Sequence, residues 1–150
     1  MKKKYLINIL LVIILIIAVT GYYAYNAFNR TNESLSNIEA AYLAIPQTLL
    51  DEFSKDVKSA GQKYFDKIVQ VEGPVKNIET SDKGMSTIIV GDQNSMSSLR
   101  FSMDSTETEK IKNIQLNSMV IIKGMCTGYN ADEMGLGSDL LFNRAVIIKK

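Results

Sequence analysis

YFDKIVQVEGPVKNIE, residues 64–79, is the stretch of sequence that decides the fold. Valine recurs in it at alternate positions, namely Val69, Val71 and Val75. A repeat of two predicts a long β-strand over residues 64–79, with one buried face and one solvated face. Gly73 takes the place of a further buried side chain, and Pro74 after it cannot donate a ladder hydrogen bond. Both residues indicate a bend or a close backbone approach, as in the first strand of a small closed barrel.

Four later stretches alternate in the same way and predict the remaining strands, at residues 85–90, 98–103, 119–129 and 139–148. Between the third and fourth of the five strands, Asp104 opens a capping-box signature, which predicts a short helix. Upstream, apolar residues at helical spacing predict an amphipathic helix over 46–61, and a short helix is predicted over 38–44. The alternation slips at Asn143–Arg144, which indicates a β-bulge there.

The resulting order of a helix, three strands, a helix and two strands is that of the OB-fold, a five-stranded Greek-key barrel. We therefore predict a mainly β protein of this class. An SH3-like barrel is the structural alternative, but a helix after the third strand favours the OB-fold. In the fourth strand we expect Lys123 to face solvent and Gly124 to form a second bend. The core-facing residues of that strand are predicted to be Val120, Ile122 and Cys126.

The amino-acid composition excludes most kinds of catalytic site. The chain has no histidine, which is the usual general base and the commonest metal ligand, and Cys126 is its single cysteine. Ser–His and Cys–His catalysis, zinc sites and iron–sulfur sites are therefore excluded. We expect no catalytic residue, no metal and no cofactor, and we interpret Cys126 as a small buried side chain.

Charge is unevenly distributed along the chain. Its 17 basic and 16 acidic side chains give a formal net charge of +1, but three lysines at residues 2–4 and Arg30 precede the predicted barrel. The remainder holds 13 basic and 16 acidic side chains. Because nucleic-acid-binding domains normally present a basic patch, this balance disfavours nucleic acid as the ligand.

The N-terminal segment is strongly apolar. Lysines at residues 2–4 precede an apolar run that reaches Val19 and continues through a tyrosine cluster to Tyr25. This pattern predicts a single transmembrane helix over residues 5–25, with a cytoplasmic N-terminus and the barrel in the periplasm or outside the cell. A signal peptide cleaved near residues 18–20 is one alternative, and a buried core helix is another. No cysteine follows the run, so a lipid anchor is not expected.

Five residues are candidate ligand contacts: Tyr129, Asn143, Arg144, Arg100 and Lys123. The first three are predicted to converge near the loop at 130–138, which borders the usual ligand face of OB barrels. The last two offer positive charge on the strand faces. The alternative is structural, with the tyrosine packed at the barrel rim and Arg144 paired with Asp139 or Glu133.

The predicted helix and strands resemble the tRNA_anti-like family of small bacterial OB-fold proteins over residues 46–148. The most specific part of the resemblance is GMCTGY at residues 124–129 together with DLLFNR at residues 139–144. It implies a lipoprotein or membrane protein that is kin to anticodon-binding barrels. Family members often carry a second cysteine where this chain has Ala145, so the resemblance implies no disulfide partner for Cys126. Kinship of fold does not transfer tRNA binding.

Together these observations divide the chain into an anchor at 1–28, a stalk with a short helix at 29–45 and an OB-fold domain at 46–150. We expect a non-catalytic binding module held at the membrane of a bacterial cell envelope through residues 5–25. Its partner is expected to be an envelope protein or a small ligand. Single-stranded nucleic acid is the alternative ligand, because OB barrels are known to bind it.

Overall fold

The computed structural model describes residues 13–25, 34–82 and 84–149, and the chain divides into two units at residues 1–33 and 34–150. In the first unit, residues 13–25 form helix α1. Within the described ranges, no helix is both long enough and apolar enough to cross a membrane. Residues 5–12 of the predicted anchor lie outside those ranges.

The second unit is a closed five-stranded barrel with a short strand added to it. The strands are β1 (Tyr42–Ala44), β2 (Ile68–Thr80), β3 (Ser86–Val90), β4 (Ser98–Met103), β5 (Met119–Asn130) and β6 (Asp139–Lys149). Neighbours in the sheet follow the order β1–β2–β3–β4–β6–β5, and the pairing of β5 with β2 closes the barrel. Strands β4 and β6 run parallel, which is typical of the OB-fold. The predicted barrel is confirmed.

β2 changes partners at Gly73, where the sequence predicts a bend. Residues as far as Pro74 pair with β5, and residues from Val75 onward pair with β3. A Cβ atom on Gly73 would lie 2.7 Å from Pro46 Cγ and 2.8 Å from Val90 Cγ1. Those distances are well inside van der Waals contact, so the close approach of Pro46 to the bend requires glycine at this position.

Two helices replace the single helix predicted over 46–61. They are α2 (Pro46–Lys55) and α3 (Val57–Tyr64). Asp56 separates them, because its backbone is extended and its carboxylate accepts hydrogen bonds from the N–H groups of Lys58 and Ser59 at 3.0 and 3.1 Å. The prediction of one continuous helix is wrong, since a capping aspartate starts a new helix.

The predicted start of the first barrel strand at Tyr64 is also wrong. Tyr64 is the last residue of α3, and β2 begins at Ile68. Asp66 has a positive φ of 60°, which turns the chain sharply between the helix and the strand. The phenol of Tyr64 instead packs in the core beneath α2, where its hydroxyl donates to Glu52 Oε1 at 3.1 Å.

The short helix predicted over 38–44 is wrong as well. Residues 42–44 form β1, which pairs in parallel with Val69–Val71, and a single 3₁₀ turn at Leu35–Asn37 precedes it. Tyr42 packs against the core while Leu43 is exposed, so this segment alternates like a strand. Three residues are too few to show such an alternation in the sequence.

The barrel core is built around two stacked phenyl rings. Phe101 of β4 and Phe142 of β6 lie with their ring centroids 4.4 Å apart, and both are fully buried. A Cβ atom on Gly124 would come within 3.2 Å of both side chains, so glycine makes room for the stack. Cys126 is completely buried, as the sequence predicts, and burial raises the pKa of its thiol to about 12.

A short helix, α4 (Thr108–Ile111), follows a 3₁₀ turn after β4, as predicted. Glu107 ends that turn and is buried beside β6. Its carboxylate accepts from the backbone N–H of Ile147 at 2.9 Å and from Lys110 Nζ at 2.9 Å. The side chain therefore supplies a hydrogen bond that a neighbouring strand would otherwise make.

The bulge predicted in β6 is confirmed at Arg144, whose φ of 55° lies in the left-handed region. The pairing with β5 slips there, because Lys123 faces Val146 whereas Met125 faces Asn143. The exposure predicted for Lys123 is wrong. Its residue surface is only 7% exposed, and its ammonium donates to backbone carbonyls of the 3₁₀ turn segment that covers this part of the barrel.

Candidate ligand-binding surface

The outer face of β3 and β4 is the surface that OB barrels use for ligands. In this chain Thr87 lies opposite Ser102, and Ile89 lies opposite Arg100. The guanidinium of Arg100 donates to Glu79 Oε2 at 2.5 Å, and Glu79 stands on β2 beside Thr87. The positive charge of this face is therefore neutralised by a carboxylate on the neighbouring strand. Such a partly exposed pair contributes about 0–1 kcal/mol to stability.

The aromatic rings of the barrel face inward or pack under the helices. Phe101 alternates with Arg100 on β4 and lies in the core. Tyr129 stacks on Phe53 of α2 with ring centroids 4.9 Å apart. Among the described residues of β3 and β4, no aromatic side chain occupies the outer face. Base stacking needs exposed rings of that kind beside cations.

A pocket of about 320 Å³ lies at the end of this face where β2 turns into β3. Its lining combines short polar side chains with two methionines, and includes Glu79, Ser81, Met85, Ser102 and Met103. Glu79 therefore contributes both to this pocket and to the ion pair with Arg100.

A larger groove of about 460 Å³ lies where α2 begins, β2 bends and the chain leaves β3. We call it the bend groove. The buried part of its lining is formed by Pro46, Leu50, Gly73 and Gly91, and Pro74, Ser95 and Ser97 are half-buried beside them. Ile45 and Met119 border it and are 55% and 53% exposed. Two exposed carboxylates complete the rim, Glu72 and Asp92.

Two loops at the same end of the barrel, residues 91–97 and 131–138, are tied together. The Ser97 hydroxyl lies 3.1 Å from that of Ser138 and accepts from the Ser138 N–H at 3.0 Å. Gly137 allows this contact, because a Cβ atom there would lie 2.4 Å from the Met96 carbonyl carbon. The two loops are therefore joined to each other by hydrogen bonds and a close backbone approach.

Asp132 organises the second of these loops. Its carboxylate accepts from the backbone N–H groups of Met134 and Leu136 at 3.2 and 2.9 Å. Desolvation opposes ionisation, but hydrogen bonds from backbone N–H groups outweigh it and lower the pKa of Asp132. The loop consequently holds the side chains of Met134 and Leu136 in solvent, with Met134 81% exposed.

The five predicted contact residues do not lie at one place. Arg100 and Asn143 are on adjacent strands of the barrel, and Asn143 is exposed. Tyr129 belongs to the aromatic cluster under α2, and Lys123 is covered by the segment before β1. Arg144 lies at the bulge. The pKa of Asp104 is lowered mainly by hydrogen bonds from Thr106, and the charge of Arg144 adds a smaller effect in the same direction. The bend groove could not be predicted from the sequence, because the residues that line the groove come from four separate segments of the chain.

No catalytic constellation is present among the described residues. No group of three or more histidine, cysteine or acidic residues in that part of the chain could hold a metal ion. A titratable cluster joins α2 to α3, where Lys63 Nζ lies 2.8 Å from Glu52 and 4.7 Å from the centre of the Tyr64 ring. The hydrogen bond to Glu52 raises the pKa of Lys63, which keeps the amine charged and unsuited to act as a base.

Comparison with known proteins points to one family. The family model described as tRNA_anti-like matches residues 1–138, and no curated protein matches the chain. A lipoprotein of Klebsiella pneumoniae that is described as nucleic acid-binding has a similar structure, with a TM-score of 0.55 at 17% identity. That match covers 71% of this chain and 92% of the lipoprotein. At such low identity the likeness shows the fold alone.

Two further solved structures are more distant. Asparaginyl-tRNA synthetase of Entamoeba histolytica has a TM-score of 0.41 at 17% identity, covering 57% of this chain and 21% of the synthetase. An OBody bound to hen egg-white lysozyme has a TM-score of 0.44 at 14% identity, covering 59% of this chain and 87% of the OBody. The matched part of this chain therefore spans about a fifth of the length of that synthetase.

Proposed function

Because the chain belongs to the tRNA_anti-like family, whose model matches residues 1–138, we propose that it is a non-catalytic OB-fold binding module. Its ligand is an envelope protein or a small molecule. One observation carries this proposal. The only cation among the described residues on the outer face of β3 and β4, Arg100, is held by Glu79, and the neighbouring ring of Phe101 lies in the core. A surface of this kind lacks the free cations and stacking rings on which single-stranded nucleic acid binding depends.

Arg100 and Asn143 are the proposed ligand contacts on this face. Both lie on the outside of adjacent strands, and the Arg100 guanidinium can exchange its bond to Glu79 for one to a ligand carboxylate. The other three predicted contacts have structural partners. Tyr129 packs on Phe53, and Lys123 binds backbone carbonyls. The charge of Arg144 acts on Asp104, whose pKa it helps to lower.

The module is further proposed to be held at a membrane through residues 5–25, with the barrel outside the cytoplasm. Lysines precede this apolar segment and tyrosines follow it, which favours a cytoplasmic N-terminus. Proteinase added to intact spheroplasts should digest the barrel while a cytoplasmic marker protein survives. Survival of the barrel until the spheroplasts are lysed would contradict the extracytoplasmic location.

A second candidate function is binding of single-stranded nucleic acid. It is favoured by the OB-fold itself and by the similar Klebsiella pneumoniae lipoprotein that is described as nucleic acid-binding. This function requires affinity for oligonucleotides that falls steeply with salt and that an Arg100→Gln substitution weakens. Our proposal predicts neither behaviour.

A further inference from the structure

The bend groove has the dimensions of a ligand site. Its volume of about 460 Å³ falls within the range of roughly 300–1,000 Å³ that is usual for binding pockets. Its shape is fixed by rigid parts, because the Pro46 ring packs against Gly73 and the Pro74 ring follows directly. A groove with rigid walls loses little conformational entropy when it is filled.

The apolar part of the groove is open to solvent. Pro46 and Leu50 are buried in its lining. Ile45 follows β1 and Met119 begins β5, so the two lie on opposite sides of β2, and each is more than half exposed. Exposed apolar side chains that border a concavity favour an apolar ligand group between them. A leucine, methionine or phenylalanine side chain has the required chemistry.

The charged part of the groove is anionic. Glu72 and Asp92 are both exposed on its rim, and neither forms an ion pair with a described residue. The loops at 91–97 and 131–138 carry Asp92, Asp132 and Glu133 and contain no lysine or arginine. Lys76 reaches the first loop, where its ammonium donates to the Ser95 carbonyl and its positive charge offsets one of these carboxylates. The acidic side chains around the groove remain in excess. The resulting field attracts cations and repels phosphates.

From these features we propose that the bend groove docks a segment of a partner protein in which a large apolar side chain is flanked by lysine or arginine. The apolar side chain enters between Ile45 and Met119, and the flanking cations meet Glu72 and Asp92. Nucleic acid and anionic lipid do not fit this arrangement, because their phosphates would face the same carboxylates. The inference rests on the proposed function and names the partner class of the module.

The test measures fluorescence anisotropy of short fluorescein-labelled peptides against the full chain in detergent micelles. Each peptide places leucine, methionine or phenylalanine between lysines, and a matched set carries glutamate in place of lysine. We expect the lysine set to bind and the glutamate set to fail. The double variant Glu72→Gln/Asp92→Asn should weaken binding roughly three- to tenfold, as expected for two exposed ion pairs.

A matched control is Glu39→Gln/Asp82→Asn, which removes the same charge from exposed positions away from the groove. It should bind the lysine peptides like the native chain. A second variant, Met119→Ser, tests the apolar contact at an exposed side chain, and thermal melting verifies that each variant is folded. If both double variants lose the same affinity for the lysine peptides, or if Met119→Ser loses none, the groove is not the binding site.

The remaining outcomes separate the inference from the proposed function. Failure of every lysine peptide, or equal binding of both peptide sets, overturns the inference but leaves the binding module intact. Self-association of the chain that Met119→Ser abolishes would assign the groove to a second copy and also overturn it. Salt-sensitive binding of a labelled single-stranded oligonucleotide that Arg100→Gln weakens would overturn the proposed function itself.

Discussion

Replacement of Gly73 by alanine tests the packing that shapes the barrel. The added Cβ would lie 2.7 Å from Pro46 Cγ and 2.8 Å from Val90 Cγ1, and neither a proline ring nor a β-branched side chain can turn away. We expect Gly73→Ala to be destabilising, because overpacking of this kind costs about 1–3 kcal/mol. Loss of the glycine's backbone entropy in the unfolded chain offsets about 0.5–1 kcal/mol of that cost.

The assay is thermal unfolding followed by circular dichroism. The difference between the overpacking cost and the entropic offset is a net loss of up to about 2.5 kcal/mol, which lowers Tm by up to about 10 °C for a chain of this size. Gly128→Ala is the matched control in β5, because its Cβ would meet its nearest neighbour, Leu141 Cδ1, at an ordinary 3.6 Å. The control should melt near the native temperature. If Gly73→Ala melts at or above the native temperature, the close approach at the bend is not what requires glycine.

Three further predictions concern buried or capping polar groups. Lys123→Met should destabilise the barrel by about 1–3 kcal/mol, because it leaves covered carbonyls unpaired, and amide hydrogen exchange should accelerate in residues 35–38. Glu107→Ala should cost a similar amount, about 1–3 kcal/mol, by removing the acceptor for the Ile147 N–H, whereas Glu107→Gln keeps that acceptor and should lose less in the same denaturant titration. Hydrogen bonds from the backbone N–H and the hydroxyl of Thr106 lower the pKa of Asp104. The stability that the Asp104 carboxylate contributes is therefore complete above the usual pKa of 3.8, and it is lost as the pH falls through the lowered pKa of the folded state. Asp104→Asn should therefore flatten the loss of stability in acid, and an unchanged acid limb would contradict this.

Local alternation was sufficient to predict the barrel strands and the positions of their irregularities. The repeat around Gly73 and the slip at Asn143–Arg144 are both visible within a few residues of sequence, and both are confirmed. The break at Asp56 was also encoded locally, because an aspartate that caps the next helix is a recognised start signal. The apolar spacing continues past Asp56 without a break, and for that reason it predicted a single helix.

The remaining features depend on contacts between distant segments. The burial of Lys123 arises because a turn more than eighty residues earlier in the chain covers it. The pairing of Arg100 with Glu79 requires the register of three strands, and the bend groove requires the meeting of four segments. No periodicity within one element could have revealed them. The ligand face is therefore formed only when the chain folds, and the sequence alone does not reveal it.

The affinity of the full chain for single-stranded RNA and DNA is the most direct test of the central claim, when it is compared with that of a Glu79→Gln variant. If Glu79 neutralises the outer face, the native chain should show no binding at a physiological salt of about 0.15 M. The variant frees Arg100 and should gain affinity at low salt. Tight native binding that Arg100→Gln abolishes and Glu79→Gln leaves unchanged would contradict the account.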